Sequence, residues 1–89
     1  MAKRFKQLSS VGRSYREQGQ IYFTCQNYAR LGARQREKID RLCEQVGGEY
    51  AGALKEYLTT DADWQYICTR YYVSSGTLDR LRKRFYEAW

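Results

Sequence analysis

The amino-acid sequence predicts an all-α protein, a compact bundle of about four to five short helices. Two observations carry that expectation. The 89 residues contain no proline and few clusters of β-branched residues, so little in the chain interrupts helices or favours strands. Apolar side chains also recur three and four residues apart, and glycines separate the periodic stretches. At this length one domain with one modest core is expected.

Each element follows from its own pattern. Residues 1–13 are basic, hydroxylic and weakly patterned, which predicts a flexible arm ahead of one helical domain at 14–89. Its removal is expected to leave the fold intact. Gly12 and Gly19 bracket a stretch in which a helix can begin near Ser14. From Gln20 to Leu31, Ile21, Cys25 and Tyr28 repeat at helical spacing with Thr24 on the same side, and Gly32 is the expected stop. A second helix is predicted from Ala33 to Val46, burying Ile39, Leu42, Cys43 and Val46, and Gly47-Gly48 ends it. A third runs from Glu49 to Leu58 on Tyr50, Leu54 and Tyr57. Thr60-Asp61-Ala62-Asp63 has the form of a capping box, which places the next helix start at Thr60 or Asp61. That fourth helix presents Trp64, Ile67, Cys68 and Tyr71, and a fifth extends from Ser75 almost to Trp89.

Residues 67–81 say most about function. Ile67, Cys68 and Tyr71 share one stripe, and Leu78 and Leu81 share another. Val73 can plug the junction, and Ser74 is a favoured N-cap for the helix that follows. This is the pattern of a helix-turn-helix, at about 61–89, whose second helix can enter a DNA major groove. With Leu78, Leu81, Phe85 and Ala88 clustered on one side, Gly76, Arg80 and Lys83 point roughly away, and Arg82 and Arg84 take the flanks. The flanking cations suit phosphates, whereas the guanidinium fork of Arg80 matches the acceptors of guanine. Ser75, Gly76 and Thr77 occupy the first turn, where hydroxyls and backbone N–H groups can meet bases or phosphates. Lys3, Arg4, Lys6, Arg13 and Arg16 would add backbone or minor-groove contacts from the arm. The plainer alternative is a solvated basic face on a terminal helix.

Residues 60–89 resemble the helix-turn-helix of sigma-factor region 4 and of phage late-transcription regulators of the RinA/ArpU type. The resemblance lies in Ile67-Cys68, Tyr71, Val73-Ser74, Thr77-Leu78 and Arg80. It implies control of phage or prophage genes, with double-stranded DNA as partner and the reading helix at 75–88. Tyr72 departs from the pattern, since many such turns use glycine there. A left-handed residue with a side chain costs roughly 1–2 kcal/mol, so either the turn avoids that conformation or packing of the tyrosine offsets it.

Composition narrows the remaining classes. Sixteen basic against ten acidic residues give a formal charge of +6, which suits a polyanionic partner. No apolar run approaches a membrane span, and no apolar segment near the N-terminus has the form of a secretory signal, so a cytoplasmic, nucleoid-associated protein of a bacterial host is expected. Cys25, Cys43 and Cys68 are widely spaced on apolar stripes, and histidine is absent. Neither a metal site nor a disulfide framework is expected, and buried free thiols are. No catalytic constellation and no phosphate loop stand out, so an enzyme is not expected, nor a cofactor. Nine tyrosines and two tryptophans suit core and interface packing better than stacking on single strands. One helix-turn-helix reads few base pairs, so a homodimer or an RNA polymerase or sigma-factor partner is expected. The alternative from another class is a phage-type interaction module or inhibitor that binds a host factor such as RNA polymerase.

Overall fold

The computed structural model describes Phe5, Gln7, Leu8 and residues 11–89. Among them lie five α-helices: α1 (Tyr15–Gln26), α2 (Ala33–Gly47), α3 (Ala51–Thr59), α4 (Trp64–Tyr71) and α5 (Ser75–Ala88). Short 3₁₀ turns at Tyr28–Arg30 and Gly48–Tyr50 join the first three. The all-α expectation holds, and no strand is present among the described residues.

Local chemistry moves several boundaries. Ser14 and Glu17 form a reciprocal capping box, so α1 starts at Tyr15, beside the Ser14 start the sequence allowed, and runs on through Gly19. Tyr28 consequently leaves the α1 stripe for the 3₁₀ turn, where its hydroxyl donates to Asp40 at 2.8 Å. The α4 cap is Asp63, whose carboxylate accepts from the Tyr66 N–H at 2.9 Å. Thr60 instead closes the preceding helix, its hydroxyl donating to the Glu56 carbonyl at 2.6 Å.

Helix α3 packs against all four others, and two of its faces are buried. Leu54 and Leu58 join Ile21, Cys25, Ile39, Cys43, Leu81, Phe85 and Tyr86 in the larger apolar cluster. Ala53, about 100° away around the helix, faces a smaller one with Ile67, Val73 and Leu78. A side chain no larger than alanine lets α4 and α5 approach α3 closely, so the three helices form one packed unit.

The described part of residues 1–13 is fastened to this body, contrary to the expectation of a free arm. Leu8 is buried in the larger cluster, and the Phe5 ring packs on Tyr15, Tyr22 and Phe23. Gln18, fully buried, binds the backbone of Leu8 and the Arg13 carbonyl. The Arg13 guanidinium donates to the carbonyls of Tyr86 and Glu87 at the end of α5, at 3.1 and 3.4 Å. These late carbonyls have no partner within the helix, which is why a cation there is favourable. Trp89 folds back beside Phe85, with the Lys38 ammonium 4.0 Å above its ring.

Candidate nucleic-acid interface

The turn between α4 and α5 is set by Val73. Tyr72 adopts a left-handed conformation (φ 55°, ψ 42°), the only non-glycine positive φ among the described residues. Its N–H and that of Val73 both donate to the Cys68 carbonyl, closing the end of α4. Val73 is then buried with Ile67 and Leu78, as the sequence predicted. Neither outcome foreseen for Tyr72 occurs. The turn does not avoid the left-handed region, and Tyr72 is 91% exposed, so its own packing offsets nothing. Burial of the next residue is what holds the strained backbone.

Helix α5 begins at its expected cap. Ser74 accepts the Thr77 N–H at 3.1 Å and donates to the Thr77 hydroxyl at 2.9 Å. Thr77 is therefore engaged in the cap and half-buried, while Ser75 and Gly76 are exposed beside it.

The basic residues of α5 divide by side-chain partner. Arg80 and Arg84 are exposed, one turn apart, and neither makes an ion pair or side-chain hydrogen bond with another of the described residues. Lys83 lies 3.5 Å from Asp79. Arg82, expected on a flank, is engaged within the fold. It is about 40° around the helix from Leu78, so its stem follows the packed side rather than the free one. Its guanidinium donates to the Tyr57 hydroxyl at 3.1 Å and to Asp79 at 3.0 Å, and its side chain is only 18% exposed. Burial would raise the pKa of Asp79, but hydrogen bonds and charge from Arg82 and Lys83 outweigh it and hold the carboxyl below its ordinary value.

Sequence reading missed the place of Asp79, although its spacing of three and four from Arg82 and Lys83 is the signal for such pairs. The bond to Tyr57 had no comparable signal. Two further side chains border the unit. Trp64, half-exposed, shares a cavity of about 410 Å³ with Tyr57, Ser75, Gly76, Leu78, Asp79 and Arg82. On the other flank Tyr71 donates to Glu56 at 2.7 Å and Arg70 lies 3.5 Å from the same carboxylate, tying α4 to α3.

Of the cations expected from the arm, Arg13 is committed to α5, and Arg16 is exposed on α1. Lys3, Arg4 and Lys6 lie outside the described residues. Cys25 and Cys43 are buried thiols, whereas Cys68 sits half-exposed at the edge of the smaller cluster. No helix among the described residues is long and apolar enough to cross a membrane.

No protein-family model, curated protein or solved structure matches the chain.

Proposed function

We propose that this chain is a sequence-specific, double-stranded DNA-binding protein that reads the major groove with α5, a small transcription regulator of the phage or prophage kind. The observation that carries the reading is the pair Arg80 and Arg84, exposed and without side-chain partners among the described residues, on the solvent side of a helix whose other face is locked by Leu78, Leu81 and Phe85. The single carboxylate of Asp79 already pairs with both Arg82 and Lys83. Arg80 is the residue assigned to a base edge, and Arg84 to a phosphate. Ser75 and Gly76 permit close approach at the first turn. The chain is read as a binding protein rather than an enzyme, acting in the cytoplasm of a bacterial host, and a second copy or an RNA polymerase subunit would extend the site it reads.

Selection of bound sites from a random duplex pool at physiological salt tests this. A strong motif is expected, and a flat pool would defeat the reading. One observation favours the interaction module as the second reading. Tyr15 and Phe23 are 62% and 56% exposed around a groove of about 550 Å³ on α1, which Phe5, Gly19 and Leu31 also line. Aromatic surface of that kind suits a protein partner.

A further inference from the structure

The geometry points to Tyr72 as a phosphate-contacting residue, its hydroxyl donating a hydrogen bond to the DNA backbone at the wall of the groove that α5 enters. This rests on the DNA-binding reading above. Left-handed backbone at a bulky residue is a standing cost, and such outliers collect where a side chain serves a ligand. Nothing inside the fold accounts for a tyrosine here. Tyr72 is 91% exposed, and its side chain makes no hydrogen bond, ring contact or ion pair with another of the described residues. The adjacent Tyr71, by contrast, is accounted for by its bond to Glu56. A glycine would give the same turn without strain.

Position selects the ligand. Three trans peptide units hold the Tyr72 Cα within about 11 Å of the Ser75 Cα, at the leading end of α5. In the proposed complex the Tyr72 hydroxyl is assigned to the backbone bordering the groove that holds Ser75 and Gly76. A phenol is a neutral donor to phosphate, so it adds affinity without releasing a counterion. The nearest cation along the chain, Arg70, is already paired with Glu56 and stacked near the Tyr71 ring.

The test compares the full chain with Tyr72→Gly and Tyr72→Phe on the selected duplex, together with thermal denaturation. Tyr72→Gly is expected to melt about 2–6 °C higher, because strain is relieved. Both variants are expected to bind the duplex about tenfold more weakly, with an unchanged salt slope. A methylphosphonate scan should identify one phosphate whose replacement weakens the wild-type protein but leaves Tyr72→Phe no worse. Full affinity in Tyr72→Phe overturns the contact, as do losses that simply add across the phosphate scan. If the wild-type protein binds no duplex, the DNA-binding reading itself fails, a result distinct from a wild type that binds and variants that match it.

Discussion

Gln18 binds both backbone groups of Leu8, ten residues upstream, much as a neighbouring strand would. The Leu8 N–H donates to Oε1 at 2.9 Å, and Nε2 donates to the Leu8 carbonyl at 3.3 Å. A second bond from Nε2 reaches the Arg13 carbonyl at 3.0 Å. One buried carboxamide thus supplies partners for backbone groups of Leu8 and Arg13, neither of which lies in a helix. Gln18→Leu keeps the volume but strands these backbone groups, and should cost about 2–4 kcal/mol in urea denaturation. An unchanged midpoint would show that the segment is held some other way.

Leu8 itself should behave as a core residue. Leu8→Ala is expected to destabilise by about 2–4 kcal/mol, lowering the melting temperature by about 10 °C or more. Removal of residues 1–13 should be worse, since it also deletes the Arg13 contacts with α5. A truncated protein melting like the intact chain would restore the free-arm picture.

The three arginines of α5 should separate by assay. Arg82→Ala loses its bonds to Tyr57 and Asp79 and should destabilise the fold by roughly 1–3 kcal/mol. Arg80→Ala and Arg84→Ala should melt like the parent. On a selected duplex Arg80→Ala should cost about 1–3 kcal/mol and relax preference at one or two base pairs. Arg84→Ala should weaken selected and scrambled duplexes alike and reduce the salt slope by about 1. Equal losses on both duplexes for Arg80→Ala would remove its base-reading role.

Asp40 joins three elements, accepting from Tyr28 at 2.8 Å and pairing with Lys55 at 2.9 Å. Burial would raise its pKa, but hydrogen bonds from Lys55 and Tyr28 outweigh this and hold it below the ordinary value. Its contribution is therefore present above the unfolded pKa, about 3.9, and is lost as pH falls through the lower folded one. The hydrogen bond to Asp40 is the main cause that raises the pKa of Lys55. The lysine's contribution is present below its unfolded pKa, about 10.4, and is lost as pH rises through the folded one. Urea midpoints should hold from about pH 5 to 10 as far as this pair is concerned, and fall at both ends. Asp40→Asn should lower the plateau and flatten the acid limb, whereas curves parallel to the parent would exclude the pair.

Thiol labelling should follow burial. Burial, assisted by the charge of Asp40, pushes the Cys43 thiol up to about 12, and Cys25 is equally enclosed. Cys68 should label first in the native protein, with Cys25 and Cys43 reacting only on unfolding. Early labelling of Cys43 would contradict the packing of α2 on α3.

Local rules determined much of this protein in advance. Absence of proline, the helical stripes and the glycine breaks predict the helices, because backbone conformation and amphipathic spacing are short-range properties. Ser74 and Val73 likewise mark the junction of α4 and α5, and the exposure of Arg80 follows from its angle to Leu78. Tertiary structure decided what depended on partners distant in the chain. Nothing in the sequence singles out Gln18 until Leu8 folds across it, and Arg82 reads as a flanking cation until Tyr57 on α3 lies beside it. Tyr72 is the reverse case. Its strain follows from a cap geometry imposed by burial of Val73, which depends on α3 presenting Ala53 and on the approach of Ile67 and Leu78. Spacing along a helix sets the direction in which a side chain leaves, but only the packed neighbours decide whether it meets water, a carboxylate or a core.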